Sequence, residues 1–414
     1  MISYAAALAA IADARVEFCH DQVETSLRDA LGCDAARDVL ATADLPPLPT
    51  AALDGFSLAG ATHFSAGDRL VVHGRTLAGE ARLEGCGHAH PHAHRVMTGA
   101  AVPECTTAVL GFEDVDANDD AITLRKGAAH GSAVRARGSD VGAGQVVVRA
   151  GQRIGPGELL ALAATGAASV WTRRRFSAAI IATGAEVVPH DAPAVAPEQV
   201  RDSNSPYVAA RVAGAGGTVR AIEHTGDSRA ALRSAIERHL DADLILTIGG
   251  VSVGDADHVA PVLAELEADV RFHRVAIRPG KPVLFATISR GGHTTHIFGM
   301  PGNPAAAAVA WSFFVEPLLR ETRAGARVAL RGTLEGRVRK PEGLTCFWRA
   351  TAGVDRDGLL RARLHPGRES YRVLPFAQSN AWIELAPGCT EASDGAPVSV
   401  WPDGPLEVWH GQES

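Results

Sequence analysis

The stretch A-D-L-I-L-T-I-G-G-V-S-V-G-D-A-D-H, residues 242–258, passes from an apolar run into a glycine-rich turn and then into helical spacing. Leu244 to Ile248 is rich in branched residues, which is typical of a strand buried on both faces of a parallel sheet. We expect Asp255 or Asp257 to cap a helix that runs to about Glu267. Glycines in the turn can take positive φ and let a ligand approach the backbone: Gly249, Gly250 and Gly254.

This pattern favours an anion site, because such a loop directs free backbone N–H groups at whatever lies above the strand. Phosphate is the expected guest. On its own the signal is weak, since a glycine turn that binds nothing would look the same.

A second loop of the same kind, G-M-P-G-N-P at 299–304, follows an apolar run and opens an alanine-rich segment. Asn303 can be the N-cap of a helix and Pro304 its first residue. Between the two loops lies R-P-G-K-P at 278–282, a rigid turn with the cations Arg278 and Lys281. Because parallel strands end at one edge of their sheet, the sequence predicts a site for a polyanionic ligand there.

In this order and spacing, T-I-G-G-V-S-V-G-D at 247–255, R-P-G-K-P at 278–282 and M-P-G-N-P at 300–304 resemble the MoeA/gephyrin family of molybdopterin molybdenumtransferases. Two upstream motifs, A-A-L-D-G-F at 51–56 and R-V-M-T-G-A at 95–100, extend the resemblance over nearly the whole chain.

The resemblance implies insertion of molybdate into adenylylated molybdopterin with release of AMP, in molybdenum cofactor biosynthesis. It implies Mg²⁺ as cofactor, a cytoplasmic homodimer whose site is shared between subunits, and contact with the adenylylating enzyme of the pathway. Tungstate has nearly the size and charge of molybdate, so the sequence does not separate the two oxyanions.

The resemblance also assigns roles to residues. The catalytic set is Asp54, Asp140 and Glu186, with Glu186 and Asp54 as the Mg²⁺ ligands. Molybdate is expected among Arg278, Lys281, Arg349 and Ser370. The substrate-binding set is Thr98, Asp227, Gly249, Gly250, Ser252, Gly254, Asp255, Pro301, Gly302, Asn303 and Pro304.

The chain departs from the family pattern at two acidic positions, where Ser139 and Ala185 stand in place of acids. These departures keep open a catalytically weak molybdopterin-binding carrier or scaffold. A different phosphohydrolase built on the same α/β unit is the other alternative. AMP release separates the enzyme from the carrier, and the identity of the ligand separates it from the phosphohydrolase.

Each acid also has a structural interpretation. Asp54 could be a turn residue, Asp140 a solvated ion-pair partner in an arginine-rich turn, and Glu186, Asp202 and Asp227 helix caps. The run C-G-H-A-H-P-H-A-H at 86–94 places four histidines on alternate positions, which could bind zinc, nickel or copper. Its proline and glycines favour a solvated loop instead.

Length and composition bound the fold. With 414 residues, 46% of them hydrophobic and 21% charged, the chain is typical of a globular protein of two to four domains. A net charge of −7 argues against nucleic-acid binding as its main task. The six cysteines form no C-x-x-C pair, which suggests reduced thiols, and no apolar run is long enough to cross a membrane.

The predicted fold is a multidomain α/β plus β protein. Residues 1–40, interpreted as helical, and 139–175 form an elongated linker domain, and 41–138 form a small β-rich domain carrying Asp54 and Thr98. Residues 176–325 alternate strands and helices, which indicates a doubly wound parallel α/β domain. The resemblance implies that this domain binds the molybdopterin. Residues 326–414 form a C-terminal β-barrel-like domain.

Overall fold

The computed structural model describes residues 1–15, 21–84, 90–118, 120–252, 254, 257–320 and 328–408. The chain forms two compact units, one of residues 1–23 with 173–414 and the other of residues 24–172. None of the described helices is long and apolar enough to cross a membrane.

A six-stranded sheet forms the centre of the first unit. Its first four strands pair in parallel, and the last two strands are added through antiparallel pairings. Leu244–Ile248 is a strand buried at every position, as the branched run predicts. The order across the sheet is Thr218–His224, Ser177–Ala182, Leu244–Ile248, His293–Met300, Leu284–Arg290 and Asp269–His273.

Helices cover both faces of this sheet, because alternate strand residues point to opposite sides. Leu244 and Leu246 lie in one core and Ile245 in another. The doubly wound arrangement predicted for this region is therefore confirmed, with two antiparallel strands added at one edge. The helices of the unit, apart from one in the barrel region, are Tyr4–Arg15, Asn204–Gly214, Arg229–Arg238, Val259–Glu265, Pro304–Ala310, a π-helical turn Trp311–Val315, and Glu316–Arg320.

Short paired segments flank the sheet. Val187–Val188 and Val200–Arg201 form a parallel pair in the loop after the second strand of the sheet.

The C-terminal region is a closed five-stranded barrel, as the β-rich pattern predicts. Its strands are Thr345–Val354, Leu360–Leu364, Leu330–Glu335, Pro397–Pro402 and Ala381–Leu385, and the last pairs with the first. Ile277–Arg278 and Glu407–Val408 add to Thr345–Val354. The remaining elements are the pair Val338–Arg339 and Glu391–Ala392 and the short helix Leu374–Ala377.

An aromatic cluster joins the barrel to the α/β part of the same unit. The rings of Phe313 and Phe347 stack with centroids 3.9 Å apart. Trp401 meets Phe313 edge-on at 5.6 Å, and Tyr4 of the N-terminal helix meets Phe347 at 5.5 Å. These contacts combine large buried areas with favourable ring geometry, so helix and barrel share one core.

The second unit contains a six-stranded sheet in the order Thr106–Gly111, Gly55–Ala59, His92–Val96, Arg69–Thr76, Ala121–Leu124 and Val115–Ala117. A 3-10 turn, Phe112–Asp114, and the helix Pro156–Ala164 complete its helical part. Further strand pairs are Thr50–Ala51 with Val134–Arg135, Val39–Leu40 with Val146–Val148, and Gln22–Ser26 with Ser169–Arg173.

Within the described residues, the helix predicted over residues 1–40 is wrong from Gln22 onward. Gln22–Ser26 is a strand, and the backbone of residues 27–35 bonds to distant segments, for example Gly32 N–H to Ile154 O at 2.8 Å. Ala30 and Ala35 are buried with Ile154. Tertiary pairing thus overrides helical propensity here.

Two further expectations change. His92 and His94 belong to a strand and are 1% and 8% exposed, so this part of the histidine run is not a solvated loop. Cys86 and His88 lie outside the described residues. Cys105 is disulfide-bonded, which corrects the expectation that all thiols are reduced; Cys33, Cys346 and Cys389 are free.

Candidate functional site

A cleft of about 620 Å³ opens at the edge of the α/β sheet where the parallel strands end. We call it the acid cleft, because four carboxylates line it. It contains seven of the predicted site residues: Glu186, Asp227, Gly249, Gly250, Gly302, Asn303 and Pro304. The expectation that the two glycine loops converge at one sheet edge is met by this arrangement.

The four carboxylates of the acid cleft differ in the hydrogen bonds that they accept from the rest of the protein. Asp202 is buried, accepts the amides of Asn204 and Ser205, and bonds His224 at 2.9 Å, so it is a structural cap. Asp257 accepts the Gly254 amide.

Asp227 and Glu186 are exposed. The cap of the helix that follows Asp227 is Ser228, whose hydroxyl accepts the Ala231 amide at 3.2 Å. The cap interpretation of Asp227 therefore does not hold. No described residue forms a hydrogen bond or ion pair with either carboxylate, which leaves both available to a ligand.

Two glycines fix the floor of the acid cleft. Gly249 has φ +91°, and a Cβ there would lie 2.6 Å from the Thr183 hydroxyl, so only glycine fits without strain. Its amide donates to the Met300 carbonyl and is not free. No described residue accepts a hydrogen bond from the amides of Gly250, Gly302 or Asn303, which are the donors left for an anion.

A second cleft of about 510 Å³, which we call the basic cleft, lies between the α/β sheet and the barrel. It contains the predicted residues Arg278, Lys281, Pro301 and Ser370. Asn303 lines both clefts, so the Pro301–Pro304 loop is their common wall. Sequence reasoning missed three cations that line it: Arg339, Lys340 and Arg368.

Two of the missed cations are already engaged. Lys340 is 7% exposed, and its ammonium group donates to the carbonyls of Leu344, Pro387 and Pro341 at 2.8, 3.1 and 3.3 Å. Arg339 donates to Glu391 at 3.1 Å.

The other three cations of the basic cleft, Arg278, Lys281 and Arg368, are exposed. None has an acidic partner among the residues that the structure describes. Glu369, the acid in the cleft wall, accepts from Arg372 at 2.6 Å. The cleft therefore offers uncompensated positive charge to an anion.

Arg349 was expected to bind the oxyanion, but the structure places it elsewhere. It is 8% exposed and does not line either cleft. Its guanidinium pairs with Asp403 at 2.6 Å and donates to the Ser379 hydroxyl and carbonyl, both at 2.8 Å. Asp403 also pairs with Arg211 at 2.7 Å. All the described contacts of Arg349 are thus internal, which favours a structural role.

Asp54, Thr98 and Asp140 lie in the second unit. Asp54 accepts the Thr98 amide at 2.6 Å and its hydroxyl at 2.7 Å through the same oxygen. These bonds, the amide first, hold the pKa of the Asp54 carboxyl below its ordinary value, so it stays ionised. Thr98 therefore keeps the Asp54 carboxyl ionised through its amide and its hydroxyl.

Asp140 is exposed and its amide donates to the Leu45 carbonyl. The ion pair expected in this arginine-rich turn forms elsewhere, between Arg137 and Asp44 at 2.5 Å. Among the residues that the structure describes, no cation pairs with Asp140.

The helix after the first glycine loop is shorter than predicted. It spans Val259–Glu265 and its N-cap is His258, which makes no side-chain capping bond. Ser252 and Gly254 are exposed and line neither cleft. Asp255 lies outside the described residues. By contrast, Asn303 is the N-cap and Pro304 the first residue of the next helix, as predicted.

The arrangement of His, Cys, Asp and Glu side chains bears on metal binding. The described part of the chain holds no group of three or more His, Cys, Asp or Glu side chains arranged to bind a metal ion. Glu186 and Asp227 provide two exposed carboxylates in one cleft. That suits Mg²⁺, which commonly takes one or two carboxylates and completes its shell with substrate phosphates and water.

Family comparisons cover most of the chain. Residues 2–166 match the MoeA N-terminal region (domain I and II), 179–321 a probable molybdopterin binding domain, and 331–402 the MoeA C-terminal region (domain IV).

Individual relatives agree. A molybdopterin molybdenumtransferase of Synechococcus elongatus is 34% identical over 88% of this chain and 90% of its own length. One from Staphylococcus aureus strain COL is 28% identical over 91% and 90%. The crystal structure of the molybdopterin biosynthesis MoeA protein from Pyrococcus horikosii has a TM-score of 0.81 at 26% identity and covers 98% of this chain and 100% of that one.

Proposed function

The chain belongs to the MoeA family of molybdopterin molybdenumtransferases and acts as a transferase in molybdenum cofactor biosynthesis; we propose that it inserts molybdate into adenylylated molybdopterin and releases AMP. The observation that carries this proposal is the wall shared by the two clefts at Asn303. One ligand can place its phosphates in the acid cleft and its dithiolene toward an oxyanion in the basic cleft.

The acid cleft is proposed to hold the phosphoanhydride. The amides of Gly250, Gly302 and Asn303 face the phosphates, and Asp227 fixes the ligand. The four carboxylates outnumber Arg201, the cation among the residues that line the cleft, so binding of a polyanion there needs a divalent cation, which Glu186 would hold together with the phosphates. Mg²⁺ would supply charge neutralisation of those phosphates.

The basic cleft is proposed to hold molybdate. Arg278 and Lys281 lie in one turn, and Arg368 faces them from the segment that carries Ser370. Charge-assisted hydrogen bonds of this kind are about twice as strong as neutral ones. We therefore replace Arg349 by Arg368 in the proposed oxyanion set.

Hydrolysis requires a water molecule that attacks a phosphorus atom of the phosphoanhydride and breaks the P–O–P linkage, with AMP and molybdopterin as the two products. An ionised carboxylate can orient this water and accept its proton. From the family resemblance we propose Asp54, Asp140 and Glu186 for this work, with Thr98 keeping Asp54 ionised through its two hydrogen bonds.

The test is AMP release from adenylylated molybdopterin by the purified protein, with and without molybdate and Mg²⁺. We expect release that depends on both, and Asp54→Asn should abolish turnover while ligand binding persists. Tight binding with no release would reject the transferase step and support the carrier interpretation. Release from other phosphoanhydrides at the same rate would support a general phosphohydrolase.

We also propose a homodimer in which the second unit of one copy contributes Asp54 and Asp140 to the site of its partner, acting in the cytoplasm on ligand received from the adenylylating enzyme. Mixing Asp54→Asn protein with the double variant Arg278→Ala and Lys281→Ala, which should keep about one hundredth of the activity, tests the sharing. Mixed dimers would carry one intact site, so about a quarter of the wild-type rate should return. No recovery from subunits shown to exchange would place all residues of a site on one chain.

A further inference from the structure

The acid cleft is lined by exposed apolar side chains as well as by polar groups. Three large hydrophobic side chains that line the cleft are strongly exposed: Val200 at 54%, Tyr371 at 63% and Val373 at 54%. Single exposed apolar residues are ordinary on a protein surface, but three that line one cleft indicate a binding surface.

The floor of the same cleft is made of groups that suit phosphate. It offers the free amides of Gly250, Gly302 and Asn303 and the carboxylates of Glu186 and Asp227. A cleft lined by both polar and apolar groups fits a ligand that joins a charged linkage to a flat, weakly polar ring. Phosphates alone would leave the three apolar side chains in water.

We propose that Tyr371 stacks on a planar heterocycle of the adenylylated ligand and so is a specificity-determining residue of the acid cleft. This inference rests on the proposed function. Adenine and pterin share the chemistry needed, a flat π-face that packs on an aromatic side chain. Val200 and Val373 would cover the edges of that ring.

The surroundings of Tyr371 support this role. The Ser370 carbonyl accepts the Ala305 amide at 2.9 Å, which ties the segment to the helix that begins at the shared wall. The Arg372 guanidinium lies over the Tyr371 ring, 5.9 Å from its centroid, within the range of a cation–π contact. The ring is thus supported by its backbone and by Arg372, while the side chain as a whole stays 63% exposed and can contact a ligand.

The experiment measures equilibrium affinity for adenylylated molybdopterin in Mg²⁺ for the wild type and for Tyr371→Ala and Tyr371→Phe. Base stacking contributes about 1–3 kcal/mol, so Tyr371→Ala should weaken binding about tenfold to a hundredfold. Tyr371→Phe keeps the ring and should stay close to the wild type. Leu374→Ala is the matched control, because Leu374 is 62% exposed nearby but does not line the cleft.

A second arm uses AMP as the probe. If adenine is the stacked ring, Tyr371→Ala weakens AMP binding by the same factor as it weakens the full ligand. If pterin is stacked, AMP binding is unchanged and the full ligand alone is weakened. Both results support the proposal, and KM for molybdate should stay constant in either case.

Equal affinity of Tyr371→Ala, Leu374→Ala and the wild type for both probes would overturn the stacking role while the wild type still releases AMP. Failure of the wild type itself to bind adenylylated molybdopterin would instead overturn the proposed function and, with it, this inference. The two failures are therefore distinct.

Discussion

The acid cleft and the basic cleft share the Pro301–Pro304 loop but take their charges from different parts of the chain. The carboxylates of the acid cleft lie mostly at the ends of sheet strands or at the starts of helices. The basic cleft takes Arg278 and Lys281 from a turn and Arg339, Lys340 and Arg368 from the barrel region. The uncharged Pro301–Pro304 loop thus separates a cleft with negative charge from a cleft with positive charge. This difference allows the acid cleft to select a cation-bound phosphate and the basic cleft an oxyanion.

This comparison depends first on Arg349 being outside the basic cleft. Arg349→Met should lower the free energy of unfolding by about 3 kcal/mol, because it removes one of the guanidinium groups paired with the buried Asp403 carboxylate. At temperatures where the variant is folded, KM for molybdate should not change. Denaturant unfolding and AMP-release kinetics measure the two effects.

Arg368→Met is the matched control for that variant. Arg368 is exposed in the basic cleft, so its loss should leave stability unchanged and raise KM for molybdate. A raised KM in Arg349→Met at full stability would return Arg349 to the oxyanion set.

The second prediction separates the clefts by function. The double change Arg278→Ala and Lys281→Ala should reduce molybdate-dependent AMP release about a hundredfold, since two charge-assisted contacts of about 1.5 kcal/mol each are lost. Affinity for the adenylylated ligand, measured without molybdate, should stay near the wild-type value. Arg331→Ala, an exposed arginine that does not line the cleft, is the control. Equal loss of both activities would mean that the clefts do not act separately.

A third prediction concerns the divalent ion of the acid cleft. Glu186→Gln should raise the Mg²⁺ concentration needed for half-maximal AMP release about tenfold, because one anionic ligand is lost. Glu198→Gln removes an exposed acid from the same loop without touching the cleft and should have no effect. A chelator should abolish binding of the adenylylated ligand while the basic cleft still binds molybdate. Ligand binding that survives chelation would contradict the charge argument.

The smallest expected effect lies outside both clefts. Thr98→Val removes one of two hydrogen bonds to Asp54, so the pKa of Asp54 should rise toward its ordinary value while the Thr98 amide still holds it down. A catalytic carboxylate with a depressed pKa loses activity as pH falls through that pKa. The acid limb of AMP release should therefore move to higher pH in Thr98→Val and stay in place in Thr98→Ser. An unmoved limb would exclude Asp54 as the titrating group.

Sequence reasoning was most reliable where a local pattern decides the structure. Leu244–Ile248, Asn303 as N-cap and Pro304 as first helical residue follow from runs of a few residues. The acid cleft was largely predictable for the same reason, because strand ends of a parallel sheet must meet at one edge.

The basic cleft was only half predictable. Arg368 and Arg339 reach it through the closure of the barrel, and no spacing in the sequence reports which barrel positions meet the Arg278 turn. Arg349 shows the converse limit, since a motif match does not reveal that a guanidinium is buried against Asp403. The helix prediction for residues 27–35 was wrong for a related reason, because helical spacing of alanine, leucine and charged residues cannot indicate backbone pairing with residues more than a hundred positions away.

The stacked rings of Phe313 and Phe347 have a consequence for how ligands enter the basic cleft. Its walls come from the α/β sheet and from the barrel, and the aromatic cluster holds these two walls in one packed core. A hinge motion between the walls would have to separate that core. The geometry of the basic cleft is therefore already formed before an oxyanion binds. Association should then be governed by diffusion and by the attraction of the exposed cations, and should slow as ionic strength rises.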